Sequence, residues 1–150
     1  MALTEYDSEL DIDPMFATTH REVWRRLGEC GTWWTGTERV AAMSEARAAF
    51  ECQLCSERSD ALSPSMIEGT HDSVSELPRQ AVELVHKLTT DPGRLTQEWA
   101  NATIDALGEE RYVELAIIVC TQYVIESFAK CLGLALLELP TPGGGVPSQV

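Results

Sequence analysis

The residues with the clearest chemical potential are Cys52 and Cys55, three positions apart in "RAAFECQLCSERSDALSP". Such a pair can serve as a dithiol redox centre, contribute to a metal site, or sit as two inert thiols on a helix. On a continuous helix, residues i and i+3 hold their Cβ atoms about 5–6 Å apart, whereas a disulfide wants about 3.5–4.5 Å. The two sulfurs can therefore join only where the helix is loosened, typically in its first turn. Unpaired backbone N–H groups and the helix dipole also stabilise a thiolate there. A redox use thus requires the helix to break or restart near Glu51-Cys52, and no Gly, Asn or Pro marks such a break. Zinc asks for about four ligands. The remaining candidates, Cys30, Cys120, Cys131, His20, His71 and His86, show no second CxxC and no paired-histidine spacing. Chain spacing therefore assigns no metal, and the dithiol centre is the leading reading.

Thiol chemistry also needs a group to take and return a proton. Glu45 lies two helical turns before Cys52 on the same face of a continuous helix, where it is either a proton relay or a solvated face residue. His71 follows the Pro64 break on a loop that could fold back over the thiols, or it orders that loop with Asp72. Ser59 offers a hydroxyl relay or a plain surface position. His86, set in "VELVHKL", reads as a hydrogen-bonded core histidine. Glu114 and Glu126 flank the most apolar helix. A buried carboxylate costs several kcal/mol unless paired or protonated, so a core-facing Glu114, beside Tyr112, would be a pocket residue. Arg47 and Arg58 either favour a thiolate electrostatically or, the better reading, are solvated partners of Glu51, Glu57 or Asp60. Trp33-Trp34 read as packing at a helix junction or an oligomer contact, with a lining of the site as the alternative.

The elements that must position these groups are helical throughout. "TTHREVWRRLGEC" begins at a possible Thr19 cap and puts Val23, Trp24 and Leu27 on one stripe. "TGTERVAAMSEARAAFECQLCSERSDAL" takes Thr37 as a cap candidate, and its apolar positions Val40, Met43, Ala46, Phe50 and Leu54 predict one amphipathic helix closed by Ser63-Pro64. "LPRQAVELVHKLTTDPG" reads as a helix stopped at Asp91-Pro92-Gly93, and Thr96 caps a helix that Gly108 ends. The last, "EERYVELAIIVCTQYVIESFAKCLGL", is apolar on nearly every side between Val113 and Ile125 and belongs inside a bundle or a subunit interface. With 150 residues, the expectation is one all-α domain over 16–139, a flexible acidic leader over 1–15 and a flexible tail over 140–150.

A formal charge of −13 repels phosphate backbones, so nucleic-acid binding is not expected. "MALTEYDSEL" has neither a basic nor an apolar leader region, and the strongly apolar stretch around Leu115 to Thr121 is short of the roughly 20 residues needed to span a bilayer. These features predict a cytoplasmic protein without a membrane segment. Five cysteines, an odd number without framework spacing, argue against a secreted disulfide scaffold.

From about Trp34 to Leu139 the chain resembles the alkylhydroperoxidase D-like / carboxymuconolactone decarboxylase superfamily. The resemblance rests on the CxxC block in its alanine-rich helix, "HDSVSELP", "VHKLTTDPGRLT", and the long apolar helix ending in "LGL". It implies an all-helical subunit of a homo-oligomer, trimeric or hexameric. It also implies a dithiol that reduces a small peroxide and is restored by a thiol or lipoyl reductant protein, with no cofactor or metal assigned. Carried over by position, Cys55 attacks the peroxide and Cys52 resolves the disulfide. The family's glutamate and histidine positions are occupied here by Val40 and Ser59, so Glu45 and His71 stand as substitutes. The same resemblance admits a non-redox, decarboxylase-like enzyme acting on an organic substrate through His71, His86 and Glu114. A non-catalytic oligomeric binding protein is a third expectation.

Overall fold

The computed structural model describes residues 10–150, and among these every regular element is a helix. Six α-helices follow in order: α1 (Pro14–Leu27), α2 (Gly36–Ala48), α3 (Gln53–Asp60), α4 (Arg79–Thr90), α5 (Gln97–Leu107) and α6 (Glu109–Cys131). Single 3-10 turns sit at Ala49–Glu51, Pro64–Met66 and Pro92–Arg94. The all-α expectation is met. Most of the expected acidic leader lies outside the described residues. Its last part is ordered differently from the expectation, because Asp13 caps α1 by accepting from the Met15 N–H at 2.8 Å and Pro14 occupies the first turn. Helix α1 therefore begins before Thr19, which lies in its interior. The tail beyond 140 has no regular structure, but Gly143 N–H donates to the Gly28 carbonyl (2.7 Å) and Gln149 N–H to that of Thr32 (2.9 Å).

Helix α6 is the axis of the bundle, with α4, α2, α5 and α1 packed around it. Gly108, at φ 89°, makes the turn between α5 and α6 in a backbone region that L side chains rarely adopt. Trp34, fully buried, fills the centre against Leu84, Val85 and Leu115 and donates its indole N–H to the Arg111 carbonyl at 2.9 Å. Burying a side chain of that size contributes about 3 kcal/mol. Trp24, Leu27, Met43, Ile118 and Ile125 form a second apolar cluster where α1, α2 and α6 meet.

By length and composition alone α6 is long and apolar enough to cross a membrane, with 23 residues and an 18-residue window of mean hydropathy 1.3. The strongly apolar run around Leu115 to Thr121 is shorter than a span, as expected, and 39% of the wider apolar window is buried inside the bundle. In the bundle two carboxylates of α6 are paired: Glu126 with Arg47 at 2.8 Å, and Glu114 with Arg39 at 3.2 Å.

The helix expected over 37–62 is two helices. Thr35, not Thr37, caps α2 in a capping box with Glu38. The chain then tightens into the 3-10 turn, and Cys52 adopts an extended backbone (φ −70°, ψ 124°) before α3 starts. This change of phase turns Phe50 out to solvent at 54% exposure, while Met43, Ala46 and Leu54 remain buried.

Candidate functional site

The break in the helix places Cys52 at the N-cap of α3 and Cys55 in its first turn. The first backbone N–H of α3, on Gln53, is satisfied by the Asp72 carboxylate at 2.9 Å. The cap is therefore supplied across the fold by the irregular 67–78 segment, which lies over this end of α3. Cys52 and Cys55 are 1% and 6% exposed. Two imidazoles and two carboxylates surround their sulfurs.

His86, on α4, points its Nδ1 at the Cys55 sulfur (3.3 Å) and its Nε2 at Glu45 Oε2 (3.0 Å). Both His86 and Glu45 are fully buried. The other Glu45 oxygen accepts from Ser73 Oγ at 2.6 Å, Ser75 Oγ at 2.5 Å and the Val74 N–H at 2.9 Å. Burial alone would raise the Glu45 carboxyl, but these hydroxyls, His86 and the Val74 N–H outweigh it and hold the group below its ordinary value. For His86, burial and the nearby His71 push the imidazole down against the pull of Glu45. An ionised Glu45 beside a neutral His86 fixes the tautomer. Nε2 carries the proton and donates to Glu45, which leaves the Nδ1 lone pair facing Cys55.

His71 folds back over both thiols. Its Nδ1 is 3.5 Å from each sulfur, and its Nε2 is 2.8 Å from Glu83 Oε2. Burial alone would lower this imidazole, but Cys55, Glu83 and Cys52 raise it to about 10. His71 is thus an imidazolium at neutral pH. Its partner Glu83 is depressed to about 2, against the effect of burial, by His71 and Arg58. Arg58 Nη1 lies 2.8 Å from Glu83 Oε1, and its Nε donates to the Ile67 carbonyl at 3.1 Å. The Cys52 thiol is raised by burial but lowered further by the Asp72 and Cys55 backbone N–H groups, His71 and the Cys55 thiol, so the net shift is downward. Charge alternates along the line from His71 through Glu83 to Arg58.

The structure brings together Cys52, Cys55, Glu45 and His71, with His86 between Glu45 and Cys55. It leaves the other expected residues elsewhere. Ser59 is exposed at the end of α3, and its carbonyl accepts from Arg94 at 3.2 Å. Glu114 accepts from the Trp33 N–H at 2.8 Å and lines a separate cleft with Cys30 and Arg39. Arg47 and Arg58 are not solvated partners of Glu51, Glu57 or Asp60, because each is drawn inward to a carboxylate on another helix, the buried Glu126 for Arg47 and the partly buried Glu83 for Arg58. Glu83, Ser73 and Ser75 carry roles that the sequence reading left out. Glu83 is one turn before His86 on α4, a spacing that puts both on one helix face, and the two serines lie within "HDSVSELP".

The four inward-facing atoms, Cys52 Sγ, Cys55 Sγ, His71 Nδ1 and His86 Nδ1, all lie within 4.8 Å of one another. A CxxC pair beside two histidines is compatible with redox chemistry, and it is also a set of four metal-ligand types. Compared with protein-family models, curated proteins and solved structures, the chain matches none.

Proposed function

We propose that the protein is a dithiol oxidoreductase that reduces a small peroxide, with Cys55 as the attacking thiol and Cys52 as the resolving one. The observation that carries this reading is the Glu45–His86–Cys55 chain, with a fully buried carboxylate 3.0 Å from the imidazole and the imidazole 3.3 Å from the sulfur. His86 Nδ1 accepts the Cys55 S–H proton. The resulting thiolate attacks the terminal peroxide oxygen, an S–O bond forms as the O–O bond breaks, and the proton returns from His86 to the departing alkoxide as alcohol. Sulfur is oxidised to the sulfenic acid and the peroxide is reduced. Cys52 thiolate then displaces the sulfenic oxygen, His71 supplies the proton that makes it water, and the Cys52–Cys55 disulfide results. Two external thiol equivalents reduce the pair again by exchange.

Glu45 is a positioning residue in this scheme, and His86 takes the place of the relay that Val40 and Ser59 cannot provide. The scheme requires peroxide to pass the 67–78 segment, which covers the sulfurs through His71. A cleft of about 650 Å³ opens on the other side of Arg58 and Glu83. The resemblance to the alkylhydroperoxidase D-like superfamily supports the same reading, together with a cytoplasmic, homo-oligomeric protein served by a thiol or lipoyl reductant. Self-association is supported by the outer face of α6, where Val113, Ile117 and Val124 form an exposed apolar stripe.

The test is peroxide consumption by the reduced chain under excess thiol. Turnover should disappear in Cys55→Ser. With external thiol left out, Cys52→Ser should consume one equivalent and stop with a sulfenic acid on Cys55. Undiminished turnover by Cys55→Ser would end the proposal.

A further inference from the structure

We propose that the reduced site binds one zinc ion, with Cys52 Sγ, Cys55 Sγ, His71 Nδ1 and His86 Nδ1 as its four ligands. Three observations carry this. The first is distance. Zinc held at about 2.3 Å from sulfur and 2.0–2.1 Å from nitrogen in a tetrahedron separates each sulfur from each nitrogen by about 3.5 Å. Three of the four sulfur–nitrogen distances are 3.5 Å for Cys52–His71, 3.5 Å for Cys55–His71 and 3.3 Å for Cys55–His86, and the four atoms all lie within 4.8 Å of one another.

The second is orientation. Both imidazoles turn Nδ1 inward while Nε2 is held by a carboxylate, Glu83 for His71 at 2.8 Å and Glu45 for His86 at 3.0 Å. Metal-bound histidines are oriented by such outer partners, which also raise the basicity of the ligating nitrogen. The third is chemistry. Two thiolates and two imidazoles in a closed tetrahedral set favour zinc over the oxygen-seeking cations, and the two thiolates neutralise its charge in a buried place. The ligands come from the start of α3, the irregular 67–78 segment and α4, so ligation would lock that segment onto the helices.

Zinc binding stands on this geometry alone, and its consequence for turnover rests on the dithiol reading. A zinc-bound pair cannot form a disulfide, so metal and peroxide compete for the same sulfurs. In the oxidation, one peroxide and two protons convert the zinc dithiolate to the disulfide, free zinc, alcohol and water. The two electrons come from the sulfurs, and zinc stays divalent.

The experiment uses the full chain, reduced and stripped with a chelator, then titrated with Co²⁺ and Zn²⁺. The expected result is one cobalt per chain with the visible spectrum of a tetrahedral thiolate site, displaced by zinc, and protection of both cysteines from iodoacetamide. Cys55→Ser and His71→Ala should lose binding, and Glu83→Gln should weaken it by about 10–100-fold, with circular dichroism showing which variants are folded. The wild-type protection assay needs no variant to fold. A folded, reduced chain that takes up neither metal, or takes up as much after both thiols are alkylated, overturns the zinc site. Disulfide formation by the zinc-free chain is scored separately. Zinc uptake without any disulfide leaves the zinc site standing and removes the redox reading, and a disulfide without zinc uptake overturns the zinc site alone.

Discussion

Replacing Glu45 with glutamine should reverse the direction of the hydrogen bond between His86 and Cys55. In the native site Glu45 Oε1 accepts from Ser73, Ser75 and Val74 N–H, while Oε2 accepts from His86 Nε2. A glutamine must use its single oxygen for the three clustered donors, which leaves its NH₂ facing His86 Nε2. Two donors cannot face each other, so His86 shifts its proton to Nδ1 and then donates toward Cys55 instead of accepting from it. The corresponding acid-to-amide change in a Ser-His-Asp triad costs about 10⁴ in rate through the wrong tautomer, and a positioned base contributes about 10²–10⁴. The rate of Cys55 oxidation by peroxide at neutral pH should fall by at least about 10²-fold. The gap should narrow at alkaline pH, where hydroxide replaces the internal base. All four contacts keep a donor and an acceptor, and only the charge on the acceptor is lost, so the loss of stability should be about 1–3 kcal/mol, small enough for thermal unfolding to show a folded variant. Stopped-flow oxidation and pH-resolved iodoacetamide labelling read the effect. A folded Glu45→Gln chain reacting within a few-fold of the native rate would refute the assignment of His86 as base.

Three further outcomes follow from the charge pairs. In the metal-free protein Glu83 is depressed from 4.5 to about 2, so its stabilisation is fully present above about pH 4.5 and is lost as pH falls through about 2. That is worth about 3 kcal/mol, and urea unfolding of Glu83→Gln between about pH 2 and 5 should show a flatter acid limb than the native chain. Arg47→Met strands the buried Glu126 carboxylate and should cost about 3 kcal/mol, seen as a lower thermal midpoint; a Glu126→Leu, Arg47→Met double variant should recover part of it. Glu114→Ala releases the Trp33 N–H and Arg39, so it should lower the thermal midpoint by about 1–3 kcal/mol of stability while leaving the rate of Cys55 oxidation unchanged.

Much of the architecture was legible because α-helical periodicity is a local signal. The Thr96 cap, the Gly108 turn and the stop at Asp91 are where the sequence puts them. The break before Cys52 was not legible, because neither Ala49, Phe50 nor Glu51 disfavours a helix and the cap that stabilises the restart is Asp72, brought from another segment. Glu45 was marked by its spacing from Cys52, yet it reaches the thiols through His86, which the sequence presented as a core histidine. His86 is buried and hydrogen-bonded as that reading required, and its second nitrogen faces a sulfur. The four-ligand cluster escaped the spacing argument for a related reason. Its histidines are contributed singly by a loop and a helix, so no short motif announces them.

The proposed chemistry requires Cys52 and Cys55 to be an oxidisable pair at the start of α3. Its most direct test is intact mass and peptide mapping of the reduced, metal-free chain before and after one equivalent of hydrogen peroxide. The expected result is the loss of two hydrogens, located in a peptide that joins Cys52 to Cys55 and restored by a thiol reductant. Retention of both free thiols, or oxidation confined to the exposed Cys120 and Cys131, would contradict it.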